Sequence, residues 1–555
     1  MLGVRGTRDL AKGADDFFVG SAQIIFKEVP TIMKKLLALA LVLLMAATCL
    51  PAMADDFTYP MDGTVTLSWA AAEGFGGVNE AYASADDSPF HAGLKDMLGI
   101  GIEWSVPKAG DDATQWLNTL LAQPVLPDII YGGIMGDAAR HIEEGTIIDL
   151  TPYMEKWAPN YYALLQSNPA YDKAMKTDAG QYYGFGFFRE AGGWNDSYEG
   201  PVIRKDWLDE CGLELPVTIS DWDNVLKVFN EKYGAKLSFA WNPRFHDSGI
   251  AGAFGAHATI GAGYRYFIDE NDKVQYDMVQ PEWLNYMLKL NEWWANGLLD
   301  QDVLTMRDPD AQTKALNGAM GISYTSMGQM SNWRRDAENA GNGADWIGLQ
   351  YPTADDGSIS MVFGGQGIGS TVSAISGDCP EEKIEIAMRA LDYAYSPEGN
   401  LYWNYGKQGV SWDYDENGVP AYLPLVTEDP NGINDAISKY GGTTWQGSCI
   451  QATALLYMKN TQASIDANDL WFYPNQAIAG KGKLPNGLTL TPDESDEILN
   501  IEASLGTFVP EMASKLITGE AGAADFDAFV AELNKMGLER ALEIRQAAYD
   551  RFLAR

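Results

Sequence analysis

Between Val65 and Tyr131 the chain switches twice between two hydrophobic periods, and this switching limits the folds open to it. Val65, Leu67 and Trp69 alternate with polar residues, as a half-buried strand requires. Pro89–Leu98 then reads as a helix stopped by Gly99, and Ile102, Trp104 and Val106 alternate again. A second helix over Ala113–Gln123 leads to the short apolar strand Asp128–Tyr131. Strands separated by helices of this length predict a parallel sheet with right-handed crossovers. Ligands of such sheets sit beyond the carboxyl ends of the strands, here the loops after Trp69 and Tyr131.

At 555 residues the chain is too long for one small core, so more than one lobe is expected. The formal charge of −37 argues against nucleic acid or anionic membrane as partner, because binding phosphates needs clustered Lys and Arg. It also predicts a neutral or cationic ligand, unless Arg189 or Arg244 supplies a local counter-charge.

Met33-Lys34-Lys35, the apolar run to Leu50 and Ala52-Met53-Ala54 have the layout of a secretory signal. Residues 1–32 read as an upstream extension of the reading frame and 33–54 as the signal. Ala46-Ala47-Thr48 before Cys49 fits a lipoprotein site poorly, so cleavage after Ala54 is expected. Cys211, Cys379 and Cys449 are widely spaced and allow at most one disulfide.

Further helices are expected from Ser220 with Asp223 as a capping box, ending at Gly234. Others start at Pro281, at Pro380 and near Phe526, with Gly537 breaking the last run. Asp269–Val274 and Asp415–Pro420 read as hairpin turns.

Several segments together carry a family resemblance. They are "LPDIIYGG", "EEGTIIDLTPYMEKWAPN", "DAGQYYGFGFF", "IRKDWLDECGLELPVTISDW", "YSPEGNLYWNYGKQGVSWDYDENGVP" and the tail from Leu516 to Phe552. The chain resembles the extracellular solute-binding proteins of ABC importers, in their long carbohydrate-associated subgroup. Gly186-Phe187 stands where that family has a proline. The resemblance implies an α/β, two-lobed type II periplasmic-binding-protein-like fold, each lobe a mixed, mainly parallel sheet flanked by helices, joined by a hinge. It places lobe 1 at 55–185 and 367–412, and lobe 2 at 186–366 and 413–555. It implies an oligosaccharide or similar polar solute and a membrane permease as partners, with neither cofactor nor metal.

A sugar cleft needs aromatic platforms and converging polar groups. The loop after the first strand offers Glu73, Phe75 and Asn79, and the third strand ends at Tyr131. Glu190, Trp194 and Asp196 lie where the chain first leaves lobe 1, and Gln366 lies at the second crossing, "GGQGIGS". Trp241 and Arg244 follow a short apolar strand. Tyr324, Trp333, Trp412 and Trp445 are further candidates whose surroundings favour a structural role. Trp207, Trp222, Trp283, Trp293 and Trp294 are expected in the core.

Enzymatic readings find little support. Four widely spaced His lack a metal-ligand pattern, and "GGQGIGS" lacks the Lys-Ser/Thr ending of a phosphate loop. "DYDEN" has Pro424 where a calcium loop needs its last glutamate. A hydrolase using a carboxylate pair, or a binding protein for peptides, are the alternatives.

Overall fold

The computed structural model describes residues 57–72, 82, 84–108, 111–190, 193–239, 248–257, 265–430, 432–442 and 447–555. The expected signal segment, Cys49, and the candidates Glu73, Phe75, Asn79, Trp241, Arg244 and Trp445 lie outside these residues.

In chain order the strands are β1 (Thr66–Ala71), β2 (Gly101–Ser105), β3 (Ile129–Gly132), β4 (Phe185–Arg189), β5 (Glu199–Arg204), β6 (Lys236–Leu237) and β7 (Tyr266–Ile268). They continue with β8 (Val274–Tyr276), β9 (Met320–Ser326), β10 (Trp346–Gly348), β11 (Ile368–Ile375), β12 (Trp412–Tyr414), β13 (Pro420–Tyr422) and β14 (Ile450–Gln451). A first sheet has the order β14-β4-β11-β3-β1-β2, and a second has the order β10-β5-β9-β6.

The alternating periods fold as expected. β1 pairs in parallel with both β2 and β3, and the connecting helices are Pro89–Leu98 and Ala113–Leu121. Gly99 ends the first helix at φ 69°, a backbone angle that suits glycine. β11 is antiparallel to both β3 and β4, with a register shift between Ile368 and Val372. The second sheet departs from the expected mainly parallel order: only β6–β9 is parallel, whereas β5 runs antiparallel to both β9 and β10.

Each sheet has its own core. Leu67, Trp69, Ile129, Ile130, Tyr161 and Phe185 are fully or almost fully buried around the first. Trp222, Trp283, Trp293, Trp346 and Trp471 pack around the second at no exposure. Burying side chains of this size contributes roughly 2–3 kcal/mol each. Trp293 donates its indole N–H to Asp223 at 2.5 Å, joining helix Pro281–Ala295 to helix Ile219–Tyr233. Trp207 is buried too, whereas Trp294 is only partly so.

Helix Ile219–Tyr233 starts before the expected cap. Thr218 and Asp221 form the capping box, and Ser220 instead donates its hydroxyl to Asp355 at 2.6 Å. The turn at Asp269–Val274 joins β7 to β8. In Tyr414–Val419, Asp415 Oδ1 accepts the N–H groups of Asn417 and Val419, the side-chain turn expected of "DENG". Cys211, Cys379 and Cys449 are free thiols.

A third core involves Leu488, Leu490, Ile498, Ile544 and Tyr549, where helices Pro492–Thr518 and Leu538–Ala554 meet. Arg555, at the end of the last helix, donates to the carbonyls of Lys173, Lys176 and Gly487 at 3.2, 2.6 and 2.8 Å. Arg551 bonds Asp178 at 2.6 Å and Glu494 at 2.8 Å. These contacts reach residues beside Ala174 and Met175 of the first core.

Among the described residues no helix is long and apolar enough to cross a membrane, and no cluster of three His, Cys, Asp or Glu is placed to hold a metal ion.

Candidate functional site

Among the described residues the chain passes between the two sheets three times. It leaves the first sheet at Arg189, enters the second at Glu199, and returns through Gly364–Gly367 into β11. The third passage follows β14, which pairs in parallel with β4. The sequence reading placed this stretch wholly in lobe 2. The structure differs because Cys449 is buried in the first core and its carbonyl accepts the N–H of Phe188 at 2.9 Å. After β14, helix Thr453–Lys459 leads to helix Gln462–Phe472, which packs on β5 and β10.

The three passages are hydrogen-bonded to one another. Arg189 Nη1 donates to Asp196 at 2.5 Å, and the buried Asp196 carboxylate also accepts the N–H of Gly367. Gly367 sits at φ 75°, a conformation glycine adopts without strain, and its carbonyl accepts the N–H of Arg189 at 2.9 Å. The N–H of Glu190 reaches Gln451 at 3.0 Å, and its side chain accepts the N–H of Thr453 at 2.8 Å. A carboxylate there complements the exposed N–H groups and positive end of helix Thr453–Lys459.

Other expected site residues are embedded nearby. Trp194 is 5 % exposed, stacks on Tyr457 at 5.0 Å between ring centres, and donates its indole N–H to Asp469 at 2.8 Å. Half-buried Gln366 spans the second passage, donating to the carbonyl of Leu484 at 2.9 Å and accepting the N–H of Asn486 at 2.6 Å. Thus Glu190, Trp194, Asp196 and Gln366 are brought together around the passages.

The remaining described candidates are dispersed in the interior. Tyr131 is 1 % exposed, with its hydroxyl 2.7 Å from Thr371 Oγ1. Tyr324 and Trp333 belong to the second core. Trp412 is buried and donates its indole N–H to the carbonyl of Gly406 at 2.8 Å. All four side chains are buried.

The structure adds cations that sequence reasoning missed. Lys459, at the end of the helix that Glu190 caps, and Lys483, next to the residue bonded by Gln366, are both half-buried. Loss of hydration pushes the ammonium of each down to about 8, and the positive charge of Arg189 adds to the effect in both. Asp196 opposes the shift at Lys483. Lone lysines far apart in sequence form no readable motif.

Guanidinium and aromatic faces also meet here. Arg189 lies 5.0 Å from the ring centre of Tyr198 and 5.7 Å from that of Phe187, within cation–π range. The arrangement offers charged donors, a carboxylate and aromatic edges, which suits binding of a polar solute.

No family model matches the chain. It is 23% identical over 500 residues to the fructooligosaccharide ABC transporter substrate-binding protein FusA of Streptococcus pneumoniae, spanning 83% of this chain and 86% of the relative. It is 28% identical over 249 residues to the polygalacturonan/rhamnogalacturonan-binding protein YtcQ of Bacillus subtilis, spanning 43% and 46% of the two chains. The crystal structure of alginate-binding protein AlgQ2 superposes with a TM-score of 0.76 at 19% identity, covering 89% of this chain and 99% of that one. The chain therefore has the two-lobed α/β fold of substrate-binding proteins, the fold class expected from the resemblance.

Proposed function

We propose that this chain is an exported solute-binding protein that captures an oligosaccharide between its lobes and delivers it to the permease of an ABC importer. The observation that carries the reading is the set of three hydrogen-bonded passages between two sheets, each sheet with its own core. Two lobes with separate cores, joined by a few strands, can move as bodies around a ligand. A solute touching both lobes favours the closed form by the contacts it adds there.

In this reading the first lobe is built on the first sheet and the second lobe on the second, with β14 counted in the first. Glu190, Gln366 and Arg189 supply polar groups at the base of the cleft. Glu73, Phe75, Asn79, Trp241 and Arg244, which lie outside the described residues, are kept as ligand-contact candidates from the sequence alone. The similarity to FusA along most of both chains supports a saccharide as the solute. Export rests on the signal-like segment at 33–54 together with that similarity.

The test is a melting-temperature screen with oligosaccharides at millimolar concentration. A ligand present at 100 times its Kd stabilises the folded state by about 2.7 kcal/mol, which a melting curve resolves. Stabilisation by oligosaccharides without turnover is expected. Stabilisation by peptides alone, or hydrolysis of a glycan, would overturn the reading.

A further inference from the structure

β9 ends beside the first passage. Ser326, its last residue, pairs with Glu199, where the chain enters the second sheet, and the N–H of Met327 reaches the carbonyl of Tyr198 at 2.8 Å. Helix Met327–Ala340 therefore starts beyond the carboxyl end of β9, the side on which ligands of α/β sheets sit. Gln329, Asn332 and Arg335 recur every three residues, so they share one side of this helix, and all three are half-buried. They are also bonded in a row. Arg335 Nη2 donates to Asn332 Oδ1 at 2.6 Å, and Asn332 Nδ2 donates to Gln329 Oε1 at 3.0 Å.

The row connects to the passages. Arg335 Nη1 donates to the carbonyl of Lys459 at 3.4 Å, the last residue of the helix whose first N–H is held by Glu190. At a rise of 1.5 Å per residue that short helix spans about 10 Å, which sets the scale of the separation between Glu190 and this group.

The first lobe reaches the same place. Asn434, in the first turn of helix Ile433–Tyr440, donates its Nδ2 to Asn332 Oδ1 at 3.0 Å. That helix packs on helix Pro89–Leu98, and just after it a Cβ at Gly442 would lie 2.5 Å from Phe90 Cζ, a ring of the first core. Two amides from different lobes thus meet directly. Because Asn332 Oδ1 accepts from Asn434 and from a guanidinium, the side chains form one polarised chain. Its ends are Gln329 Nε2, a donor, and Asn434 Oδ1, an acceptor, and among the described residues neither has a protein partner. A hydroxyl both donates and accepts, so neighbouring hydroxyls of a sugar ring match the two ends, one on each lobe.

We propose that Gln329 and Asn332 of the second lobe and Asn434 of the first form a subsite for the hydroxyls of a saccharide unit, with Arg335 as the positioning residue that orients the Asn332 amide. This rests on the solute-binding reading above and narrows it to a saccharide long enough to reach from Glu190 to the subsite, about 10 Å.

The test is calorimetry on the full chain with kestose, nystose, maltotriose, cellotriose and xylotriose, the tightest of which is then titrated into variants. Asn332→Ala and Asn434→Ala should each weaken it about tenfold, the effect of a hydrogen bond left unmade. The two together should lose little more than either alone, because each breaks the same chain. Gln329→Ala, at the accessible end of the chain, is the variant least able to disturb folding and should show a comparable loss. Arg335→Met should weaken binding about threefold, and Arg335→Lys, which keeps a charged donor, should restore part of it. Ligand-free melting temperatures and the radius from small-angle scattering should stay those of the unmodified chain, as expected for half-exposed polar groups. Affinity unchanged in Asn332→Ala, Asn434→Ala and Gln329→Ala would overturn the subsite and leave the solute-binding reading intact. A loss accompanied by a larger ligand-free radius would do the same, because the Asn332–Asn434 bond would then only tie the lobes. No binding of any of these saccharides by the unmodified chain, with peptides effective instead, would overturn the solute-binding reading itself.

Discussion

Asp196 and Arg189 face each other at 2.5 Å across the first passage between the sheets, with 1 % of the Asp196 side chain exposed. Because the same carboxylate holds the N–H of Gly367, one side chain fastens the first passage to the second. Removing one partner of such a pair strands the other charge. Asp196→Ala should therefore lower stability by roughly 3–5 kcal/mol, read from urea unfolding midpoints. Replacing both, as Arg189→Met with Asp196→Leu, should cost less than Asp196→Ala alone. A milder loss in the single variant than in the double one would refute this account.

Gly365 passes directly over that carboxylate. A Cβ built there would sit 2.6 Å from Asp196 Cγ, so Gly365→Ala should push the carboxylate off Arg189 and cost about 1–3 kcal/mol. Gly136 has open space around its Cβ direction, and Gly136→Ala should change stability by less than about 0.5 kcal/mol. Equal melting temperatures for the two variants would argue against a steric role for Gly365.

Asp392 gives a pH signature. Burial raises its carboxyl to about 6, even though the carboxylate accepts from Asn160 Nδ2 and from the N–H of Tyr161, both at 2.7 Å. The folded value lies above the unfolded one, so its contribution favours folding at low pH and is lost as pH rises through about 6. Asp392→Asn should therefore gain stability relative to the unmodified chain between pH 4 and pH 7, by on the order of 2–3 kcal/mol. Melting temperatures of both proteins across that range test it, and a constant difference would contradict it.

Arg555 tests the C-terminal attachment. Its side chain is nearly buried, and it satisfies three backbone carbonyls as well as the hydroxyl of Thr489. Arg555→Ala should destabilise by about 3 kcal/mol, because those acceptors lose a charged donor. It should also increase the radius measured by small-angle scattering of the ligand-free protein. An unchanged radius would mean that the crossing strands alone hold the lobes.

Local patterns were legible where one residue type admits one conformation. Gly99, Gly234 and Gly537 end or separate helices at positive φ, and the run from β1 to β3 follows its periodicity. Helix Pro492–Thr518 was not anticipated, although Thr491 with Glu494 forms a capping box; Pro510 within it obscures the run. Residues 450 and 451 fell within the stretch 413–555 assigned to lobe 2, because two residues carry no period and only pairing with β4 places them in the first sheet. Aromatic density does not separate platform from core: Tyr131, Tyr324 and Trp333 are large apolar surfaces buried in the interior, which the core also needs. Lys459 and Lys483 were invisible for a different reason: lone lysines far apart in sequence form no motif.

The C-terminal helices do more than complete a core. With the strand passages they join the second lobe to the first at several places: at Arg189, Gly367 and Gln451, at Asp178 through Arg551 and Arg555, and at Asp137 and Arg140 through Ser495 and Asp496. On the proposed reading, any closing of the lobes must turn about these contacts or break them, so the C-terminal helices would act as a latch as well as a core.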